Sequence, residues 1–227
     1  MTLTLARVPA LRLIRTPRAW LSVFVWTVIA IASAVVVKSQ GSTTGADHVM
    51  RGAFGVVVLP LVAYGIVGSA LGGAGLRRGI RGVVALGAAP RPAALATILV
   101  ALASAALVCS LLAGLVCVLA HGAQDPPLSR DLPTSIWIGA LGGAAYAAYF
   151  SAGSAIGKGA MRGVFLAFDW IVGAGAGVGS VFVPRGHVTS LLGGSLAADL
   201  SQRTSSVFLA VICAAYVALA LLLTRRA

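Results

Sequence analysis

The sequence predicts an all-α, polytopic membrane protein with six transmembrane helices, cytoplasmic N- and C-termini, and short amphipathic helices at the cytoplasmic interface. Hydrophobic residues make up 59% of the chain and charged residues only 10%. A soluble surface usually has about a quarter or more of its positions charged. The mean hydropathy is +1.00. The basic residues gather in short intervals between long apolar runs, which is typical of a chain threaded through a bilayer.

Six apolar runs approach or exceed the roughly 20 helical residues needed to cross the hydrocarbon layer. The predicted spans cover about 19–37, 52–75, 93–120, 135–157, 163–183 and 206–224. The segment 1–18 is predicted to lie at the interface, and 1–227 to form a single transmembrane domain. The alternative for the first run is a cleaved signal peptide, because basic residues precede it and small residues surround 32–34. The run is longer than the apolar region of a normal signal peptide, which favours a span.

The intervals between spans differ in charge. Twelve of the 17 basic residues lie in one alternating set of intervals. These are Arg7, Arg12, Arg15, Arg18, Arg77, Arg78, Arg81, Arg91, Lys158, Arg162, Arg225 and Arg226. The other set holds five basic residues and four of the five acids, namely Asp47, Asp125, Asp131 and Asp199. Because cytoplasmic loops carry the excess of Lys and Arg, this distribution predicts that both termini are cytoplasmic.

Several function classes are disfavoured. The net charge of +12 could indicate nucleic acid, but the basic residues flank apolar runs, so no nucleic-acid partner is predicted. The three histidines fall outside the spans, so an intramembrane Ser–His enzyme would lack its base. No clustered metal ligands are present in the sequence. We therefore predict no catalytic residues, no metal and no cofactor bound by this chain. The stretch GSAIGK imitates a phosphate loop, but it lacks the Ser or Thr that follows the Lys.

Glycines at helical spacing are candidate packing positions. Small residues let helices approach closely in lipid, where no hydrophobic force joins them. The candidates are Gly139, Gly143, Gly153, Gly157, Gly173 and Gly177. Packing within one bundle is the first interpretation, and a dimer seam or a helix that must flex is the alternative.

Asp169 is the one acid inside a predicted span. Intramembrane ionisable groups are costly and are functional candidates by default, so Asp169 is a possible intramembrane polar site. It lies about six residues, or roughly 9 Å, into the fifth run. At that depth the alternative is that it snorkels, or pairs with Arg162 or Lys158.

The interval 76–90 predicts a short amphipathic helix. Its apolar face carries Leu76, Ile80, Val83 and Val84. Its polar face carries Arg77, Arg78 and Arg81. Pro90 and Pro92 are expected to end this helix before the third span. Such a helix either rests on anionic lipid or docks into another protein.

The chain resembles the membrane subunits of ATP-binding-cassette transporters of the type-2 exporter class. The N-terminal LRLIRTPRAW is similar to the basic interfacial segment that precedes the first span in that family. LRRGIRGVVALGAAPRPAALATILVA is similar to the family's cytoplasmic helix and the Pro-containing start of its third span. The six-span layout, with both termini inside and a longer last outside loop, extends the resemblance over most of the chain.

The resemblance implies a permease subunit of an ATP-driven exporter in the bacterial inner (plasma) membrane. Helix 76–90 would then be a coupling helix that contacts a separate cytoplasmic ATPase subunit. The implied contacts are Leu76, Arg77, Arg78, Ile80, Arg81, Val83 and Val84. ATP and Mg²⁺ would bind in the ATPase, so this chain would not itself be an enzyme. A second permease copy, identical or related, and membrane lipids are the other implied partners.

Two other classes stay open at the level of sequence. One is a non-transporting membrane scaffold or assembly factor, and the other is a self-sufficient channel or secondary transporter. An ion-driven transporter normally needs more than one intramembrane ionisable group, and the spans contain only Asp169.

Overall fold

The computed structural model describes residues 2–157 and 159–224, and this part of the chain is helical and contains no β-strand. Its α-helices are α1 (Thr2–Arg15), α2 (Pro17–Ser39), α3 (Gly45–Val49), α4 (Leu59–Leu71), α5 (Leu76–Ala85), α6 (Pro90–Ala120), α7 (Leu128–Ile156), α8 (Met161–Val172), α9 (Pro184–Leu191) and α10 (Gln202–Leu223). A π-helical segment, Met50–Val58, joins α3 to α4. Two 3₁₀ segments, Val178–Phe182 and Ala197–Asp199, flank α9. Lys158, Arg225 and Arg226 lie outside the described residues.

Four helical stretches in the described residues are long and apolar enough to cross a membrane. They are Pro17–Ser39, Gly45–Ala85, Pro90–Ala120 and Gln202–Leu223. They correspond to the predicted first, second, third and sixth spans, and they are compatible with a multi-pass membrane protein. The predicted fourth span, 135–157, lies in α7 up to Ile156. α7 has 29 residues but is less apolar than the other long helices because it contains Gly, Ser and Tyr residues.

The predicted fifth span, 163–183, is not one continuous helix. α8 ends after 12 residues, and a turn then leads into the 3₁₀ segment Val178–Phe182. At about 1.5 Å per residue α8 is roughly 18 Å long, too short to cross the hydrocarbon layer. The alternating glycines at 173–179 account for the break, since each glycine in a helix interior costs about 1 kcal/mol relative to alanine.

α6 and α7 form the most extensive helix pair and the centre of the bundle. α4 packs against both of them, α10 packs along α7, and α2 packs on α4 and α6. The largest fully buried side chains of α7 are Tyr146, Tyr149 and Phe150. α2 and α10 instead expose much of their apolar surface, as expected for helices that face lipid.

A proline explains one contact between distant helices. Pro60 has no backbone N–H, so the carbonyl of Val56, four residues earlier, lacks the donor that a regular helix would supply. The indole Nε1 of Trp170 in α8 donates to this carbonyl at 3.1 Å. A backbone carbonyl in lipid needs such a partner because water cannot supply one. The bond ties α8 to the π-helical segment.

Candidate functional site: the arginine-rich end of the bundle

Basic residues are concentrated at one end of the bundle, whereas the opposite end carries both basic and acidic residues. α6 is 31 residues long, which is about 46 Å of helix. The arginines of α1, α5 and the start of α6 lie near its first residue, and we call this region the arginine-rich end. Asp125 lies beyond the last residue of α6, where its Oδ2 accepts hydrogen bonds from the N–H groups of Ala46 (2.9 Å) and Gly122 (2.7 Å). The two ends therefore have the charge asymmetry that two sides of a membrane would require.

α5 is anchored to the bundle by the face predicted to contact a partner. Leu76 and Ile80 are buried, and Val83 and Val84 pack partly buried against the core. From α1, both terminal nitrogens of Arg12 donate to the carbonyl of Gly79 at 3.3 Å. These apolar residues therefore cover the chain's own core, so a partner could reach only the opposite face of α5.

The three arginines of α5 have different environments. Arg77 donates from Nη2 to the carbonyl of Leu223 at 2.8 Å, so it satisfies the C-terminal end of α10. Arg78 and Arg81 are exposed. Of the seven residues predicted to contact an ATPase, these two are the exposed ones.

Leu86 is an exposed residue that the sequence analysis missed. It directly follows the last residue of α5, and 89% of its surface is exposed. Gly87 has a φ of +90° and its N–H donates to Val84 O, while the N–H of Ala88 donates to Val83 O. This pair of bonds is a Schellman motif, which favours glycine after the helix end. The Leu-Gly pair was the available signal, since it predicts where α5 ends and leaves Leu86 at its rim. We call Arg78, Arg81 and Leu86 the docking strip.

Basic side chains also complete the ends of helices. The last carbonyls of a helix have no internal donor, and cations are favourable near them. Arg12 donates to Ala70 O in the last turn of α4 at 3.5 Å, and Arg162 donates to Gly72 O just beyond it at 3.5 Å. The guanidinium of Arg162 also lies 5.7 Å from the centre of the Tyr64 ring. Arg12 and Arg162 therefore stabilise the fold by satisfying carbonyl groups at the end of α4.

At the opposite end of the bundle, basic side chains likewise donate to carbonyl groups at helix ends. Arg51 donates to Leu192 O at 2.7 Å, Arg185 to Trp170 O at 3.0 Å, and Lys38 to His121 O. Each acceptor lies at or near the end of a helix. The sequence analysis assigned these residues to topology alone, because it could not tell which carbonyl lies near which side chain.

Asp169 is fully buried and accepts two hydrogen bonds. Its Oδ2 accepts from the Tyr146 hydroxyl at 3.0 Å, and its Oδ1 from the backbone N–H of Arg185 at 3.0 Å. Arg185 lies in the first turn of α9, so the carboxyl group caps α9 from α8. The pairing expected with Arg162 is not formed, because Arg162 faces Tyr64 and Gly72. The pairing with Lys158 falls outside the described residues.

The candidate packing glycines have contrasting surroundings. A Cβ added at Gly139 would lie 2.6 Å from Cys109 O, and one at Gly143 would lie 2.7 Å from Ala105 O, so both face α6 closely. At Gly153 it would meet the Phe165 ring at 2.9 Å, at Gly157 Met161 Cγ at 3.0 Å, and at Gly173 Arg185 Cβ at 2.6 Å. At Gly177 nothing lies within 4 Å. Gly173 and Gly177 lie in the break after α8 rather than on a helix face.

No family model, curated protein or solved structure matches the chain.

Proposed function

We propose that this chain is the permease subunit of an ATP-driven exporter and is moved by a separate ATP-binding-cassette ATPase that docks on α5. The observation that supports this proposal is the docking strip. A short helix presents two arginines and an exposed leucine at the arginine-rich end while its other face is fixed to the bundle core. A free amphipathic helix resting on lipid would direct its apolar face to the membrane, whereas here that face is occupied.

The attachment of α5 makes it suitable for transmitting force. Leu76 and Ile80 are buried in the core, and Arg12 joins Gly79 to α1. A partner that pushes on the docking strip would therefore move α5 together with its neighbours α1, α4 and α6. Packed interiors shift between discrete arrangements rather than deforming continuously, so such a push favours a change of state in the bundle.

The docking strip has the composition of a small protein contact. Leu86 would bury its side chain in a groove on the ATPase, and Arg78 and Arg81 would pair with carboxylates at the rim. The proposal thus replaces the seven contacts implied by family resemblance with three.

The proposal also includes the membrane topology of the chain and its other partners. The chain would have six spans, the fifth of them formed by α8 together with the turn and the 3₁₀ segment that follow it. Both termini would lie in the cytoplasm, with a second permease copy beside the chain in the bacterial inner membrane. ATP and Mg²⁺ would bind only in the ATPase. The secondary-transporter alternative is weakened by Asp169, since a carboxyl group that is fully buried and caps a helix is not placed to exchange ions with solvent.

Co-purification tests this function. The tagged chain is expressed in its native host, extracted in mild detergent, and its bound proteins are identified by mass spectrometry. We expect a subunit with an ATP-binding-cassette sequence, and vanadate-sensitive ATPase activity in the eluate. The variants Leu86→Glu and Arg78→Glu/Arg81→Glu should each lose most of both signals, because they bury a charge or reverse one at the contact.

The matched control is Arg15→Glu, which reverses an exposed arginine of α1 at the same end. It should retain the ATPase. Retention of the ATPase by all of the α5 variants would show that α5 is not the docking site. Absence of any such ATPase from the wild-type eluate would favour the scaffold alternative.

A further inference from the structure

A cavity beside the first turn of α5 is not explained by the docking proposal. It has a volume of about 250 Å³ and is lined by Ala74, Arg77, Arg78, Arg81, Ala155 and Gly157. It therefore lies between α5 and the C-terminal end of α7. Three of its six lining residues are arginines and the others are alanine or glycine, so guanidinium groups are the charged groups among the described residues of its walls.

None of the described residues that line this cavity is acidic. The ion pairs among residues 2–157 and 159–224 are Arg51–Asp47 and His121–Asp131, and both lie at the opposite end of the bundle. Within residues 2–157 and 159–224, Arg77, Arg78 and Arg81 therefore repel one another without a carboxylate that offsets their charge. A bound anion would remove that repulsion.

Two further groups near the cavity can donate hydrogen bonds. The Nε atom of Arg77 is buried and has no acceptor in the described part of the chain. α5 begins directly after Gly75, which has no side chain to cap the first-turn N–H groups. The ten-residue helix thus directs the positive end of its dipole towards the region of Ala74 and Arg77.

We propose that this cavity binds a phosphate group, with the headgroup of an anionic phospholipid as its source in the membrane. Guanidinium groups pair with phosphate through two parallel hydrogen bonds, a geometry that ammonium groups cannot match. Basic pockets between membrane helices on the cytoplasmic side are recognised sites for anionic headgroups. This inference does not depend on the ATPase, because neither the cavity nor its chemistry includes the partner.

Lipid binding to the purified chain tests the site without any ATPase. The detergent-solubilised protein is titrated with short-chain phosphatidylglycerol, and bound lipid is counted by native mass spectrometry. Short-chain phosphatidylcholine and inorganic phosphate are titrated in parallel. We expect phosphatidylglycerol to bind with saturation and to be weakened by salt, since the attraction is electrostatic.

Amino-acid substitutions test whether phosphatidylglycerol binds in this cavity. Arg78→Ala/Arg81→Ala should weaken phosphatidylglycerol binding on the order of tenfold or more, because it removes two charge-assisted contacts. Arg91→Ala, an exposed arginine at the same end that does not line the cavity, should change it less than about twofold. If the double variant loses its thermal transition, Arg81→Gln alone serves, since Arg81 is exposed and makes no hydrogen bond that the fold requires.

Each outcome decides the proposal. Binding of inorganic phosphate with the same dependence on Arg78 and Arg81 would support the phosphate site and identify its source as soluble. Unchanged binding in the folded variants, or equal loss in Arg91→Ala, would overturn it. Leu86→Glu separates this inference from the docking proposal, because it should abolish ATPase binding while leaving phosphatidylglycerol binding intact.

Discussion

The hydroxyl of Tyr146 donates a 3.0 Å hydrogen bond to the carboxyl group of Asp169, and both side chains are fully buried. Because the other oxygen of Asp169 accepts the N–H of Arg185, the pair joins α7, α8 and the first turn of α9. This junction holds the broken segment after α8 against the bundle. Asp169 thus has a structural role, through partners that its sequence position did not predict.

Asp169→Ala should lower the thermal stability of the detergent-solubilised protein. Each buried donor left without an acceptor costs about 1–3 kcal/mol, and this change leaves two. Asp169→Asn should be destabilised less than Asp169→Ala, since its amide oxygen can still accept the N–H of Arg185 and only the Tyr146 hydroxyl loses its acceptor. Equal transition temperatures for Asp169→Ala and the wild type would contradict the capping role. Intrinsic fluorescence during a thermal ramp measures both variants.

Arg12→Ala should destabilise the chain more than Arg15→Ala. Arg12 donates to Gly79 O and Ala70 O, whereas Arg15 is exposed in the last turn of α1. Loss of hydrogen bonds from a charged donor costs about 1.5–3 kcal/mol, while an exposed charge contributes about 1 kcal/mol or less. Each variant removes one positive charge from α1, so any effect of that charge on membrane orientation is the same in both. Limited proteolysis should cut the segment before α2 sooner in Arg12→Ala, and an identical pattern in both would refute the tie to α5.

Gly143→Ala should destabilise the protein even though alanine favours helices. The added Cβ would lie 2.7 Å from Ala105 O and 2.9 Å from Cys109 Cβ, so α6 and α7 would have to separate. Overpacking of this kind costs about 1–3 kcal/mol. Gly82→Ala on the exposed face of α5 is the matched control, because nothing lies within 4 Å of its added Cβ, and it should be neutral or stabilising. Thermal unfolding of both variants compares the sites, and a stabilised Gly143→Ala would mean that the helix pair is looser than described.

His187 should make stability depend on pH below neutrality. Burial lowers the pKa of His187 below 6.5, although a hydrogen bond with Val181 O partly opposes this. As the pH falls through 6.5 the unfolded chain takes up a proton before the folded chain does, so the free energy of unfolding decreases. His187→Gln should show a smaller decrease between pH 7 and pH 5.5. Transition temperatures of both proteins across that range provide the measurement, and parallel curves would assign the dependence to another group.

Labelling should place the two ends of the bundle on opposite sides of the membrane. In a background with Cys109, Cys117 and Cys213 replaced by alanine, Leu86→Cys and Pro126→Cys introduce thiols at exposed positions of opposite ends. An impermeant maleimide added to intact cells should label position 126, and position 86 only after permeabilisation. The reverse pattern would invert the predicted topology.

The helical fold followed directly from composition and periodicity. Long apolar runs with few charges predict spanning helices, and four described stretches fit those predictions. The break at 173–179 could have been predicted from its alternating glycines, but mean hydropathy concealed it, because glycine is not polar enough to interrupt an apolar run. The amphipathic pattern of 76–90 predicted α5 and its apolar face, although not what covers that face. The predicted end of this helix was wrong, because α5 ends at Ala85 and Pro90 begins α6.

Local composition and spacing were therefore enough to predict that the chain is helical and apolar and that its basic residues are concentrated in alternating intervals. Only the tertiary structure decided which arginines cap helices, which of them line the cavity, and that Leu86 is exposed. Those outcomes depend on contacts between residues up to 146 positions apart, such as Arg77 with Leu223. Local periodicity does not show which carbonyl group a distant helix places near a given side chain. Arginines with similar sequence surroundings therefore acquire different roles only when the helices pack.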